Sequence, residues 1–584
     1  MRKAQSRINK QGGFSVVEVL LAASIFALIV TALLGVYLYG QESTALAGSR
    51  ARASMLAEEG LEAVESIRDA GFVNLVDGTY GLATTSNYWN LSGTSNTIDI
   101  FTRQIAISAI DDKRKHVTST VTWQQNNQRT GIVQLVTRFT NWLASGLVPN
   151  HILIYGDGTT APKFRTYDTS LNTFSAESST VSSASGRSFI VRVSPTSSEA
   201  VAGLFTSTGE LRVFCYDGAD WTEEWTATVG GPVASRPFNI AYETDSGDVM
   251  VLYGSAATTT NELAYRTKLG TTGCGSGNWS GVNSLNPVRT SGLIHWVRMA
   301  WDRRAGQNLI AAVWADANRD LSAMIWNGAT WGNEPTAATE TSLEIVSLAQ
   351  DIEDFDIEYE SLSGDVMVVW ANSAGANGTN GVRYRTCTGG TSACTWNAVT
   401  TPPTFSDDAT NLDISANPNT DEIVFASIGN AGSDLQFGRW SGSAWANTAN
   451  ADTSCSTPVA ASKHVATGWV VDGGTTRSVV VYGDNNSNAI NWYLGNGGTF
   501  TPQADITISP GGSNLRRTQF VEMNPVNKNQ LMYLFSDSNN DLFAKRLVLT
   551  APATFTWTNS DGAALETTLP QAVNNPFWFS FSRF

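Results

Sequence analysis

Two fold classes in succession are predicted: an α+β region built on one long N-terminal helix, then a much larger all-β region of repeated antiparallel sheet units. Three observations carry this. An apolar run from Phe14 to Tyr39 follows a basic N-terminus, and helix-forming composition continues to about residue 68. From about residue 150 a strand–turn–strand pattern recurs at spacings of about 49 to 59 residues. Composition agrees. With 584 residues the chain suits roughly two to four domains. Hydrophobic residues make up 42% and charged residues 15%, which excludes a disordered tail or a coiled coil. The excess of 52 acidic over 37 basic residues, net −15, argues against broad electrostatic binding to nucleic acid or anionic lipid. Fifty-one Gly and 19 Trp against four His favour a turn-rich β protein over a histidine-based metal enzyme, and five Cys are too few for a disulfide scaffold.

The first element is the apolar run. Arg2, Lys3, Arg7 and Lys10 precede it without an acid among them, and Gly12-Gly13 opens it. Its 26 residues, Phe14 to Tyr39, span about 39 Å as a helix, enough to cross a bilayer. The basic flank keeps residues 1–12 in the cytoplasm and exports the chain beyond the helix. Glu18 stands alone among Val16, Val17, Val19 and Leu20. A carboxylate in lipid costs about 2–4 kcal/mol or more. An ordinary signal peptide or signal anchor is the plainer reading, but no A-x-A-like cleavage site comes after the run.

The string Gly13-Phe14-Ser15-Val16-Val17-Glu18-Val19-Leu20-Leu21-Ala22-Ala23 resembles the class III signal of type IV pilins and pseudopilins. The resemblance implies that a prepilin peptidase cuts after Gly13 and methylates Phe14, the new N-terminal residue. It implies that Glu18 meets the N-terminal amine of a neighbouring subunit during assembly, with other pilins as partners. A buried carboxylate is tolerable when a cationic amine meets it.

The helix is expected to continue beyond the membrane. Met55, Leu56, Leu61, Val64 and Ile67 fall at roughly helical spacing, with Glu58, Glu59, Glu62 and Glu65 on other faces. Strands are predicted near 101–110, 116–123 and 131–139, where apolar and polar residues alternate. A long helix on a small antiparallel sheet is the body that the pilin resemblance implies. Val121-x-Trp123, Arg129 and Thr140-Asn141-Trp142 are also similar to minor pilins. No Cys precedes Cys215, so the C-terminal disulfide loop of many major pilins is absent. The expected division is a leader at 1–13, a transmembrane and filament-core helix at 14–39, a pilin body at 40–145 and the repeat region at 150–584.

One repeat reads Phe238-Asn239-Ile240-Ala241-Tyr242-Glu243, a turn Asp245-Ser246-Gly247-Asp248, then Val249-Met250-Val251-Leu252-Tyr253 and Leu263-Ala264-Tyr265-Arg266-Thr267. Its sister reads Phe355-Asp356-Ile357-Glu358-Tyr359-Glu360, Ser363-Gly364-Asp365, Val366-Met367-Val368-Val369-Trp370 and Val382-Arg383-Tyr384-Arg385-Thr386. Further copies begin near Phe189, Trp296, Leu412, Val465 and Phe520. That period is the size of a β-propeller blade. Residues 152–174 lack a first strand, and Phe577-Trp578-Phe579-Ser580-Phe581 reads as a lone first strand. Together they predict one composite blade that closes an eight-bladed ring and hides both sheet edges. Seven blades, or an unclosed stack of sheets, are the alternatives.

A propeller hosts enzymes, lectins and scaffolds alike. There is no G-x-S-x-G string and no sialidase-type S-x-D-x-G-x-T-W box, and His116, His151, His295 and His464 lack ligand spacing. No catalytic residue is predicted. The string Leu211 to Trp221 is similar to strands of fucose-binding propeller lectins, which set an arginine, a glutamate and an aromatic around each sugar. Arg212 is the candidate ligand-binding arginine by that resemblance, although the full trio does not recur. Asp316, Asn318 and Asp320, and likewise Asp537, Asn539 and Asp541, place oxygen side chains at alternate positions of equivalent loops. Such alternation suits calcium, although both loops lack the Gly and Glu of an EF-hand, and Asp and Asn favour tight turns for backbone reasons alone. Cys387 and Cys394 bracket a hairpin turn and are expected to form a disulfide outside the cytoplasm. Cys215, Cys274 and Cys455 are left unassigned.

The expected function is that of a minor type IV pilin. It passes once through the inner membrane before assembly, then displays its propeller on the cell surface at or near a pilus tip to bind an extracellular glycan or protein. Helices in a filament core pack about 8–10 Å apart. A ring of four-stranded blades exceeds about 40 Å across at about 4.8 Å per strand, too wide for every subunit of a shaft. The alternatives are a pseudopilin of a type II secretion or DNA-uptake machine, and a cell-surface glycosidase-like enzyme.

Overall fold

The computed structural model describes residues 15–582 apart from short segments, the longest being 141–150, 344–352, 373–380, 456–462, 508–514 and 571–578. Gly13 and Phe14, the expected processing site, lie outside the described residues, as do Trp142, Phe577 and Trp578. The chain divides into two compact units, Met1–Leu147 and Val148–Phe584.

In the first unit, helix α1 runs unbroken over Val16–Ala70. Ala, Leu and Glu favour it, with Glu18 in its first turn and Arg68 in its last, the charge order that a helix dipole stabilises. Glu18 accepts a hydrogen bond from the Ser15 backbone N–H at 3.2 Å. The helix is long and apolar enough to cross a membrane. Its N-terminal half leaves Val16, Leu20, Phe26, Leu28 and Tyr39 exposed. Further along, Ala53, Ala57, Gly60, Val64 and Ile67 are buried at three- and four-residue steps, with Ala63 beside Val64, so one stripe of the helix faces a core.

That core is a six-stranded antiparallel sheet. Its strands are β1 (Gly78–Thr85), β2 (Tyr88–Ser92), β3 (Asn96–Ile98), β4 (Phe101–Asp111), β5 (Arg114–Asn126) and β6 (Arg129–Thr140). The order is β2-β1-β4-β5-β6, with β3 also on β4. β4 to β6 occupy the three segments where alternation predicts strands. The first three strands were not predicted: they are short, glycine-punctuated and largely exposed, so no apolar period marks them. Arg103 on β4 is buried between helix and sheet. It donates to the Leu56 carbonyl at 3.1 Å and to Asn96 at 3.3 Å, and pairs with Glu59 at 3.3 Å. Gly60 makes this approach possible, since a Cβ there would stand 2.5 Å from the Ser119 hydroxyl.

The second unit contains eight antiparallel sheets of four or five strands among the described residues. Their strands follow chain order within each sheet, apart from one. The strand Phe579–Ser582, from the end of the chain, pairs antiparallel with His151–Tyr155 and completes the sheet that begins the unit. First strands of the other sheets are Gly186–Val193, Phe238–Tyr242, Ile294–Trp301, Phe355–Tyr359, Ala409–Ala416, Val465–Asp472 and Leu515–Met523. Each packs beside the first strand of the next sheet, and Leu515–Met523 beside Phe579–Ser582. This arrangement is consistent with a β-propeller. It also explains the near-continuous apolar strands. Val249–Gly254 and Val366–Ala371 are buried at every residue, because a neighbouring sheet covers each face. Between the second and third sheets, Phe205, Val213, Phe238 and Val251 fill the gap.

Candidate functional site

Where the first strands meet, polar side chains interrupt apolar runs and bond across to the next sheet. The Ser580 hydroxyl accepts from the Val191 N–H at 3.1 Å, and the Asn239 amide donates to the Val297 carbonyl at 3.1 Å. Asp356 accepts from the Ile414 N–H at 3.3 Å, and Asp413 from the Thr467 N–H at 2.7 Å and its hydroxyl at 2.8 Å. A first strand has neighbours on both sides but an open rim of backbone groups, so a short polar side chain there satisfies the adjoining strand.

These strands enclose a cavity of about 150 Å³. Its cations are Arg192, Arg236, Arg298, Arg303 and Lys463, its acids Asp356, Glu358 and Asp413, and its indoles Trp301 and Trp469. Glu353 receives both Arg236 and Arg298 at 2.6 Å, and Asp356 lies 3.7 Å from Arg298. Lys463 pairs with Asp413. Burial opposes the Arg298 charge, but Asp356, Glu353 and Asp413 outweigh it and hold that guanidinium firmly protonated. Burial pulls Arg236 down to about 10 against the attraction of Glu353. Burial raises Asp413 too, Lys463 countering and Asp356 adding to the rise. The arrangement is a fixed set of guanidinium and carboxylate groups with aromatic walls, suited to holding a polar ligand rather than to proton transfer.

Arg212 does not line this cavity. On its strand Glu210–Tyr216 it pairs with Glu210 at 2.8 Å and Glu223 at 3.4 Å. The two aspartate loops lie in different sheets, so the structure does not bring them together. In each the first aspartate serves the turn. Asp316 accepts from the N–H groups of Asn318 at 2.8 Å, Asp320 at 3.1 Å and Ser291 at 2.9 Å. Asp537 accepts from Asn539 and Asp541, each at 2.9 Å. Arg319 and Asn540 take the left-handed backbone that closes these turns. Asn318 turns its amide to the Ser291 hydroxyl at 2.9 Å.

Cys387 and Cys394 are bonded across their hairpin with Cα atoms 5.3 Å apart. Cys215 and Cys274, 59 residues apart, are bonded as well and link the second sheet to the third. Cys455 is buried.

The cavity itself was not predicted. Its signal lay in the repeat, where Asn239, Arg298, Asp356, Asp413 and Thr467 take matching places in successive first strands.

No protein-family model and no curated protein matches the chain. Among solved structures, it is similar to the BP39L lectin from Burkholderia pseudomallei, at 14% identity and a TM-score of 0.43 over 65% of this chain and 99% of that one. The fungal lectin from Aleuria aurantia, a six-bladed β-propeller, aligns at 13% identity and a TM-score of 0.31, over 57% of this chain and 98% of that one. The dihydro-heme d1 dehydrogenase NirN aligns at 10% identity and a TM-score of 0.41, over 70% of this chain and 74% of that one.

Proposed function

We propose that the chain is a minor subunit of a type IV pilus, anchored and assembled through α1, that presents an eight-bladed, closed propeller at or near the pilus tip as an adhesive, carbohydrate-binding head. The observation that carries this reading is the division of α1 into two chemistries. Its N-terminal half bares Val16 to Tyr39 with Glu18 near its start, and its C-terminal half buries one stripe against a sheet. A bare apolar half is stable in lipid or among like helices and costly in water. A carboxylate at its start suits pairing with a cationic amine, here that of methylated Phe14 after cleavage at Gly13. The return of Phe579–Ser582 to the sheet of His151–Tyr155 supports closure, because it leaves neither end of the repeat with an open edge.

The test is an assembly assay with N-terminal mass analysis. Protein from sheared pili is expected to begin at N-methylated Phe14, and Glu18→Ala to leave the subunit in the membrane and out of the pili. A Glu18→Ala protein that enters pili as wild type would overturn the reading, and one held with the wild type in cell bodies would favour a secretion or uptake pseudopilin.

A further inference from the structure

Asp413 and Lys463 come from two successive sheets and meet where both line the cavity. Asp413 lies in the first strand Ala409–Ala416, and Lys463 stands two residues before the first strand Val465–Asp472. Lys463 donates to Asp413 Oδ1, and the two side chains are only 12% and 16% exposed. The other carboxyl oxygen, Oδ2, accepts from the Thr467 backbone N–H at 2.7 Å and from the Thr467 hydroxyl at 2.8 Å. One carboxyl thus carries an amine at one oxygen and two fixed donors at the other. Donors held on one oxygen stabilise the negative charge that builds there when a nucleophile adds to the carbon. Burial raises the Asp413 carboxyl, Lys463 opposing the rise and Asp356 adding to it. In a low dielectric an ion pair is relieved when the ammonium passes a proton to the carboxylate. The amine that remains is a nucleophile.

We propose that Lys463 and Asp413 condense into an intramolecular amide, a covalent tie between the sixth and seventh sheets of the second unit. The Lys463 Nζ attacks the Asp413 Cγ to form the C–N bond, while Thr467 holds the oxyanion on Oδ2. The Cγ–Oδ1 bond then breaks, and Oδ1 leaves as water with two of the three ammonium protons. An ion pair becomes a neutral amide plus water, so no oxidant, reductant or co-reactant is consumed. The step occurs once per chain, between groups already paired, and the adjoining cavity of about 150 Å³ has room for the water released. The amide encloses residues 413–463, nearly all of the sixth sheet, and joins neighbouring sheets as Cys215–Cys274 joins the second to the third. Closing a loop of that length restricts the unfolded chain and so stabilises the folded one. Lys268 and Glu199 also form a buried pair, at 2.8 Å, but among the described residues no donor fixes the second oxygen of Glu199. That pair is expected to remain ionic. The proposal stands apart from the pilus and carbohydrate readings, and its failure would leave both untouched.

The test is mass spectrometry of the full-length protein after reduction of its disulfides, followed by tryptic mapping. The wild type is expected to be lighter than its calculated mass by one water. Trypsin should release a branched peptide joining Asp413 to Lys463 and should not cut after Lys463. Lys463→Arg keeps a cation beside Asp413 but lacks the amine, so it is expected at its full calculated mass and with a lower melting temperature. A wild type at full mass that trypsin cuts after Lys463 would overturn the proposal. Loss of water mapped to any other site would overturn it as well. The wild-type masses decide the matter even where a variant fails to fold.

Discussion

At the residue scale, paired glutamates show how buried acids hold neighbouring sheets together. Glu360 accepts the Trp440 indole N–H and the Ser363 hydroxyl, each at 2.6 Å, and Glu243 accepts Trp326 and Ser246 at the same distances. In both cases the tryptophan comes from the following sheet. Burial raises the Glu360 carboxyl to about 7, although both donors pull it down. A carboxyl raised in the folded state contributes stability that is complete below its unfolded pKa, near 4.5, and lost as pH rises through 7. Urea titrations between pH 4.5 and 8 should therefore show a falling stability that Glu360→Gln flattens. An unchanged slope in the variant would assign the dependence elsewhere. The aspartate loops carry a second residue-scale expectation. Because Asp316 already serves three backbone N–H groups, Asp316→Ala should cost about 2–3 kcal/mol in urea unfolding. Calcium and EDTA should leave the melting temperature of the wild type in place, and a calcium-dependent rise would restore the loops as metal sites.

At the element scale, α1 and its sheet meet through a glycine. Gly60 sits mid-helix, where alanine would ordinarily gain about 1 kcal/mol. A Cβ added there would stand 2.5 Å from the Ser119 hydroxyl and 3.1 Å from the Arg103 and Ile105 side chains, and overpacking of that kind costs about 1–3 kcal/mol. Gly60→Ala should thus lower the stability of the N-terminal unit by roughly 1 kcal/mol, measured by thermal melting of the full-length protein. A stabilised variant would mean that the sheet yields. The disulfide between Cys215 and Cys274 joins two sheets, and Cys215→Ala should cost about 2–4 kcal/mol under oxidising conditions and nothing under reducing ones. This scale also marks what the sequence could show. Strands with alternating or continuous apolar residues were legible, as in Phe101–Asp111 and Val366–Ala371, because burial on one or two faces writes a period. β1 to β3 were not legible, because largely exposed, glycine-punctuated strands impose none. The pairing of Cys215 with Cys274 was also hidden, since sheet neighbourhood sets it and residue spacing does not.

At the scale of the whole molecule, repetition made the second unit readable. The motif Phe-x-Ile-x-Tyr with its Asp-x-Gly-Asp-type turn recurs because each sheet must solve the same packing problem against two neighbours. The cavity was harder to read, since its strand residues come from five sheets and its polar ones look like lone polar residues in apolar strands. Arg298 and Asp356 acquire meaning only when successive first strands are superposed. The proposed function joins the two units: if α1 assembles into a filament, a head of eight sheets would be too broad for every subunit of the shaft, and the subunit would be rare. Electron microscopy of sheared filaments, labelled with gold-conjugated antibody against residues 148–584, tests this most directly. The account predicts gold at filament ends and none along the shafts. Gold confined to cell bodies, or spread along every shaft, would contradict it.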